Sequence, residues 1–265
     1  MADPIFSIIT VTKNCEKTIL STLKSVSLQS LKNYEHLVFD GFSEDNTFDI
    51  IKNFESKNIK KKQIFDESCY DAMNQALKSA TGKYVLFLHS GDILFSSDTL
   101  SEIYKNLRSN DEILIGGCIF YSSNGFVKRI WKINIKKKIS VKNCYSIPHT
   151  GTIISKKLID EIGPFNLNYK ISSDTDYILR IFSKKNLKYN LLDFFICFME
   201  TGGLSTNKRN VLPKIKEDLK IYRSFFGILI FSFIYMKKIL FKLPQRFKRK
   251  KSYNLNLRSV LYKFK

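Results

Sequence analysis

At 265 residues the chain has length enough to bury the core of one full domain and to carry an appendage. Its five cysteines, Cys15, Cys69, Cys118, Cys144 and Cys197, are odd in number, far apart and without CxxC spacing, which points away from a disulfide framework or a zinc site and fits a reducing cytoplasm. The net charge of +20 invites a nucleic-acid reading, but Ser205 to Lys265 holds 17 Lys and Arg against only Glu217 and Asp218, so the basicity belongs to the tail; no recognition motif accompanies it and no nucleic-acid partner is expected.

Phe6 to Thr12 is apolar and β-branched, as a buried parallel strand should be. The apolar run has no basic stretch ahead of it and breaks at Lys13-Asn14, so it reads as a first strand and not as a signal peptide. The turn after it also lacks the GxGxxG pattern of a dinucleotide-dependent oxidoreductase. A helix with Ile19, Leu23 and Val26 on one face follows, then a strand at His36 to Asp40 and a helix entry at Ser43 to Thr47. Asn58 to Lys62 reads as a solvated charged loop, and Gln63 to Phe65 as a short strand. Met73, Ala76, Leu77 and Ala80 mark a helix that Gly82 ends, Tyr84 to Leu88 a fourth strand, and Leu100, Ile103, Tyr104 and Leu107 a further helix. This rhythm predicts an α/β fold with a doubly wound parallel sheet.

Beyond Asn110 the pattern changes to a hairpin, Ile113 to Tyr121 and Phe126 to Ile133, about a Ser-Ser-Asn-Gly turn, so the sheet becomes mixed. Helices are expected at Lys156 to Ile162 and Thr175 to Lys184, and a late strand at Tyr189 to Met199 before Gly202-Gly203.

Three acidic clusters stand out: Asp40 to Asp45, Ser90-Gly91-Asp92 and Ser173 to Asp176. The first two follow strands, and the strand ends of a parallel sheet are where α/β proteins place ligands. In a nucleotide-sugar site Asp40 could accept from a base N–H, and Asp45 could serve the ribose or cap the next helix. A diphosphate would lie across the turn of Ser90 and Gly91, with Asp92 holding Mn2+ or Mg2+, since a hard cation needs only one or two carboxylates beside phosphate and water oxygens.

The series FSIITVTKN at 6–14, FDGFSEDNT at 39–47, YDAMN at 70–74, LFLHSGD at 86–92, Pro148-His149 and ISSDTDYILR at 171–180 resembles family 2 glycosyltransferases, closest to the bacterial branch that builds surface polysaccharides. The resemblance runs over residues 5–205. It implies a GT-A (Rossmann-like) fold with a mixed, mostly parallel sheet flanked by helices, a nucleotide-diphospho-sugar donor, a divalent cation and inversion at the anomeric carbon. Carried over by position, Asp40 matches the uracil contact, Asp92 the metal-binding acid and Asp174 the general base. Thr10, Thr12 and Asp66 fall in segments lining the nucleotide pocket, and His149 matches an acceptor-side histidine whose other reading is a structural one. UDP is the expected nucleotide, with dTDP open because thymine presents the same N3–H.

Asp176 is four residues before Arg180, an i, i+4 pair that supports the helix, so the chemistry is assigned to Asp174. The chain departs from the family at Gly91, where relatives carry a second acid, at His89, often Asn, at Met73, often Arg, and at Ser68, often Gly. Those departures motivate the alternative of a non-catalytic glycan-assembly scaffold with a degenerate site. Gly202-Gly203-Leu-Ser205 resembles a loop over the donor phosphates.

The domain plan expected is a catalytic domain over 1–205, with a nucleotide-sugar-binding half at 1–110 and an acceptor-side half at 111–205, followed by a basic amphipathic tail at 206–265. Phe225 to Met236 is twelve residues long, short of the ~20 that span a bilayer, and the basic run Arg246 to Lys251 follows it. That composition suits a helix lying on an anionic membrane surface. A helix packed on the catalytic domain is the other reading. Together these features predict transfer of a hexose or N-acetylhexosamine to a lipid-linked saccharide acceptor in O-antigen, capsule or exopolysaccharide assembly, at the inner face of the cytoplasmic membrane.

Overall fold

The structure is a computed structural model that describes residues 3–203 and 208–247. Among these residues nine strands form one mixed sheet: β1 (Phe6–Thr12), β2 (Tyr34–Asp40), β3 (Ile59–Gln63), β4 (Tyr84–Phe87), β5 (Ile93–Leu94), β6 (Ile113–Tyr121), β7 (Val127–Trp131), β8 (Thr152–Ser155) and β9 (Tyr189–Glu200). Their order is β3-β2-β1-β4-β8-β6-β9-β5, with β7 on β6. The first half of the sheet, β3-β2-β1-β4, is parallel throughout, β6 and β9 are also parallel, and antiparallel pairs enter at β8, β5 and β7. This is the mixed, mostly parallel sheet that the strand pattern implied.

Among the described residues seven α-helices accompany it: α1 (Ile19–Ser27), α2 (Thr47–Asn53), α3 (Cys69–Ser79), α4 (Thr99–Lys105), α5 (Lys156–Ile162), α6 (Ser173–Ser183) and α7 (Val211–Phe247). Both faces of the sheet are covered, which is why β1, β2, β4 and β6 are buried along their length and mostly apolar, with hydrogen-bonded polar residues such as Ser7, Thr10, Glu35 and His36 among them. Alternate residues of β1 divide between the two cores: Ile9 and Val11 pack with Met73, Ala76 and Leu77 of α3, while Phe6 and Ile8 pack with Val26 of α1 and Leu100 and Ile103 of α4.

The charged stretch expected to be a loop is instead the outer strand β3, registered from His36 opposite Ile59 to Asp40 opposite Gln63. Its lysines do not prevent strand formation, because an edge strand pairs on one side and turns charged side chains to water. The short strands β5 and β8 were not anticipated either. β8 is four residues long and sits between β4 and β6, so its place depends on two partners distant in sequence.

At the amino-terminal edge of the sheet, Glu35 accepts from Ser7 Oγ (2.6 Å), Lys60 Nζ (2.7 Å) and the Thr81 amide (2.7 Å). Gly82 is required there, since a Cβ would stand 2.6 Å from the Ser7 nitrogen.

The described part of the tail, α7, is built into the fold. α7 has two helical limbs meeting at Gly227, whose φ of 70° is open to glycine at little cost. Asp218 bonds Lys238 at 2.8 Å and Tyr222 meets Tyr235 edge-on at 5.7 Å, so the limbs run back along each other. Ile221, Tyr222 and Ile234 join the core, and Phe241 packs edge-on against Tyr145. The apolar run 225–236 is therefore bent and partly interior, not one continuous surface helix. Ile228, Phe233, Met236 and Leu240 remain exposed. Among the described residues no helix is long and apolar enough to cross a membrane. Leu204 and Ser205 of the glycine-rich loop, and Lys248 to Lys251 of the basic run, lie outside the described residues.

Candidate active site

The first cluster sits where β1 and β2 end in register, Thr12 opposite Asp40. The Asp40 carboxylate is buried and accepts from the Ser43 amide (2.9 Å), Ser43 Oγ (2.5 Å) and Gln63 Nε2 (3.2 Å). Thr12 Oγ1 beside it is buried with no hydrogen-bond partner, an unsatisfied group at a ligand-facing strand end. Asp66 joins from the loop after β3. Burial raises its carboxyl above the usual range, with Lys13 opposing and Asp71 and Asp40 adding to the rise. Gly41 makes the approach possible, because a Cβ there would collide with the Asp66 carboxylate. Phe42 and Phe65, which sequence reasoning passed over, stack at 4.2 Å on the neighbouring loops, and Phe65 is 83% exposed.

Two residues grouped with this cluster act within the fold. Thr10 is fully buried, its hydroxyl donating to Leu88 O at 2.7 Å and meeting His36 Nε2 at 2.9 Å, so it ties β1 to its neighbours below the crevice. Asp45 accepts from the Thr47 hydroxyl and amide at the start of α2 and from the Glu16 amide at 3.1 Å, which makes it a capping group that also holds the loop after β1.

The second cluster is a turn pinned from three sides. Thr22 of α1 donates to Asp92 O (2.8 Å) and accepts from the Gly91 amide (2.9 Å); Tyr121 donates to Gly91 O (2.7 Å); Ser90 Oγ meets Thr18 Oγ1 at 3.0 Å. Gly91 has φ of 91°, and a Cβ on it would stand 2.8 Å from a Glu200 carboxylate oxygen. A second acid is thus present, supplied from the end of β9 through space and not from position 91. The signal that could have found it is the pairing of Ile93 with Phe198, which brings the end of β9 to the Asp92 turn. Asp92 is 5% exposed. Burial pushes its carboxyl up to about 8, with the His89 and Glu200 amides opposing and the Glu200 charge adding to the rise. Two adjacent carboxylates, one buried and short of compensating charge, form an all-oxygen set that fits Mg2+ or Mn2+ together with a diphosphate. Among the described residues no cluster of three or more metal-ligating acids, histidines or cysteines occurs.

The third cluster opens α6. Asp176 pairs with Arg180 Nε at 2.8 Å, and Arg180 also donates to Ile162 O and Pro164 O, so this carboxylate belongs to the scaffold. Asp174 accepts from the Thr175 amide at 2.7 Å, and Tyr70 OH lies 3.5 Å away. Burial raises the Asp174 carboxyl, but Lys214, His149, the Thr175 amide and Lys238 outweigh it and hold the group below the usual carboxylate range. The segment before α6 is held by the tail: Glu217 of α7 accepts from the amides of Lys170 (2.8 Å), Ile171 (2.9 Å) and Ser172 (2.8 Å).

His149 links the clusters. Its ring stacks on Phe87 at 5.4 Å and lies 6.3 Å from His89, which begins the Asp92 turn. Both ring nitrogens are buried with no hydrogen-bond partner. Burial lowers His149, with Asp174 opposing, and lowers His89 to about 4, with His149 adding and Asp174 opposing. His89 is therefore neutral at physiological pH, and burial disfavours the charged form of His149 as well.

A doubly wound sheet with acids at its carboxyl-terminal edge and a mixed second half defines the GT-A class of sugar-transfer fold. Glycosyl transferase family 2 matches residues 7–216, and the chain belongs to that family. It is 31% identical over 215 residues, 77% of this chain and 80% of the relative, to a PGL/p-HBAD biosynthesis glycosyltransferase of Mycobacterium bovis. It is 27% identical over 223 residues, 82% of this chain and 86% of the relative, to the UDP-Glc:alpha-D-GlcNAc-diphosphoundecaprenol beta-1,3-glucosyltransferase WfaP of Escherichia coli. Among solved structures, S. aureus TarS 1-349 in complex with UDP-GlcNAc is similar with a TM-score of 0.67 at 21% identity, covering 98% of this chain and 71% of that one. Glucosyl-3-phosphoglycerate synthase of Mycobacterium tuberculosis, with Mn2+, UDP and its product, has a TM-score of 0.59 at 13% identity, covering 85% and 81%. The structural likenesses establish the fold.

Proposed function

We propose that the chain is an inverting, metal-dependent glycosyltransferase that moves a hexose or N-acetylhexosamine from a UDP-sugar to a saccharide carried on a lipid diphosphate, in assembly of a bacterial surface polysaccharide. The observation that carries this is the continuity of the site: Asp40 and Asp66 at one end, Asp92 with Glu200 next, then His89 and His149 leading to Asp174. The relatives support the donor and acceptor classes, WfaP by its diphosphoundecaprenol acceptor and TarS by its bound UDP-GlcNAc.

In this reading Asp40 accepts from the base N3–H, and the stacked Phe42 and Phe65 offer an aromatic wall beside it. Thr12 and Asp66 complete the nucleoside side. The turn of Ser90 and Gly91 underlies the diphosphate, and Asp92 and Glu200 hold Mn2+ or Mg2+, which when bound supplies Lewis-acid neutralisation of the leaving diphosphate. Asp174, ionised at neutral pH, takes the proton of the acceptor hydroxyl as that oxygen bonds to C1 and the C1–O bond to the diphosphate breaks. Attack from the face opposite the leaving group inverts C1. Residues 1–110 make the donor half, and 111–205 the acceptor half, which borrows the first limb of α7.

The exposed Ile228, Phe233, Met236 and Leu240, followed by the basic run that begins at Arg246, support attachment to the anionic inner face of the cytoplasmic membrane, where each basic residue near the surface contributes roughly 1 kcal/mol. Flotation with phosphatidylglycerol vesicles tests this; no loss of binding on changing Phe233, Met236 and Leu240 to Ser removes the claim. The activity is tested with a panel of nucleotide sugars, Mn2+ and a synthetic lipid-diphosphate monosaccharide, read by mass spectrometry and by NMR of the new anomeric centre. One added sugar from a UDP donor with inverted configuration is expected. Retained configuration, or transfer from no UDP-sugar, overturns the proposal.

A further inference from the structure

Asp174 opens onto a cavity of about 190 Å3 whose lining includes Lys214, Tyr222 and Lys238 of α7. The first turn of α6, which carries Asp174, is not capped by its own N-cap residue: Ser172 makes no side-chain capping bond, and its hydroxyl accepts from Lys214 Nζ at 3.3 Å. The backbone leading into the helix is held from α7 instead. Glu217 Oε1 accepts from the Lys170 amide at 2.8 Å, and Oε2 from the amides of Ile171 at 2.9 Å and Ser172 at 2.8 Å. Three successive amides directed at one carboxylate make an anion-binding concavity, and hydrogen bonds to an ionised acceptor are roughly twice as strong as neutral ones. From the other side, Tyr70 of α3 donates to Ile171 O at 2.9 Å and stands 3.5 Å from Asp174 Oδ1. Ile171, three residues before Asp174, is thus gripped at its N–H by α7 and at its C=O by α3.

Attachment of α7 to the domain does not call for this carboxylate. Ile221 and Tyr222 are fully buried in the core one turn further on, and the buried pair of Asp218 with Lys238 ties the two limbs together. Lys214, one turn before Glu217, helps to hold the Asp174 carboxyl below its usual range, together with His149 and Lys238. Such neighbours serve a base only while it keeps a fixed place among them, and displacing a reacting group by about 1 Å can cost on the order of 10²-fold in rate.

We propose that Glu217 is a positioning residue for Asp174: by fixing the amides of Lys170, Ile171 and Ser172 it sets where that carboxylate stands before the acceptor oxygen, so that the first limb of α7 takes part in placing the base. The effect on rate rests on the glycosyltransferase reading, in which Asp174 is the base; the grip on the loop does not.

Full-length Glu217→Gln keeps the size of the side chain and removes its charge. Its kcat for transfer should fall by roughly 10–100-fold with donor affinity in calorimetry unchanged, and amide hydrogen exchange at 170–172 should quicken by at least about tenfold. Added to Asp174→Asn, it should lower kcat no further, since a residue that acts only through the base then has nothing to position. Ile221→Val loosens the same helix without touching the loop, and should lower the melting temperature while leaving kcat at 25 °C nearly unchanged. Native kcat in Glu217→Gln, a loss that adds in full to that of Asp174→Asn, or an equal loss in Ile221→Val overturns the positioning role. In the native protein the amides of 170–172 should already be protected although they precede the helix, and exchange there at the rate of an open loop overturns the grip without any variant. A native protein that transfers no sugar, with exchange at 170–172 quickened in Glu217→Gln, upholds the grip and fells the glycosyltransferase reading instead.

Discussion

At the acidic strand ends the charged groups that gather are mostly carboxylates, Asp40, Asp66, Asp92 and Glu200, with Lys13 near Asp66, whereas in front of Asp174 they are Arg129, Lys214 and Lys238. Two aspartates therefore face opposite electrostatic surroundings: burial and Glu200 push Asp92 up to about 8, while Lys214 and His149 hold Asp174 below its usual range against burial. One carboxylate is surrounded by burial and a second acid, the other by basic side chains. The contrast shows that the residue type sets little of the role here; the neighbours set it. It also follows the topology: Asp40, Asp66 and Asp92 stand at or after strands of the parallel unit β3-β2-β1-β4, whereas Glu200 arrives from β9 and the cavity before Asp174 is made from segments that meet only after the chain has closed.

The largest effect expected is at Asp174. Asp174→Asn should lower kcat by roughly 10²–10⁴-fold, the range of a general base, with donor affinity unchanged. Substantial remaining transfer would remove the base from the acceptor side and leave the comparison with one active pole.

Next comes the buried pair beneath the cavity. Asp218→Ala leaves Lys238 buried without its partner and should cost about 3–5 kcal/mol in urea unfolding, whereas the double change Asp218→Leu with Lys238→Met should be near neutral. If the double variant is as unstable as the single one, the pair serves packing and not the charge of the cavity.

At the donor edge, Asp92→Ala should remove the metal-dependent part of nucleotide-sugar binding in calorimetry, and Glu200→Gln should weaken it by roughly 10–100-fold. Unchanged affinity in Asp92→Ala would sink the metal role; unchanged affinity in Glu200→Gln would return the site to a single carboxylate.

The smallest effect is on acid stability and concerns neither pole. Burial pushes Glu35 up, but the hydrogen bonds from Lys60, Ser7 and Thr81 outweigh it and bring the group down to about 2, so its stabilisation is present above the unfolded value near 4.5 and is lost as pH falls toward 2. Burial lowers His36 to about 3; its proton is taken up more readily by the unfolded chain, and stability declines as pH falls from about 6.5 toward 3. Melting temperature should thus drop across both windows, and Glu35→Gln should flatten the lower one. A slope unaltered by that change would remove Glu35 from the account.

The buried strands were legible because Phe6 to Thr12 and Ile113 to Tyr121 are rich in apolar and β-branched residues, and the acidic turns at Asp40 and Asp92 were legible because they follow apolar strand segments. Asp176 with Arg180 could be read from helical spacing alone. The edge strand β3 was obscured by its lysines, since hydrophobic periodicity reports burial and an edge strand has little. Glu200 beside Asp92, Glu217 holding the amides before α6, and Lys214 and Lys238 facing Asp174 left no local pattern at all. A chain determines from neighbouring residues which segments become strands and where their acidic turns fall. Which charges those turns meet depends on strand register and on the bend at Gly227, and these are decided only when side chains distant in sequence pack together.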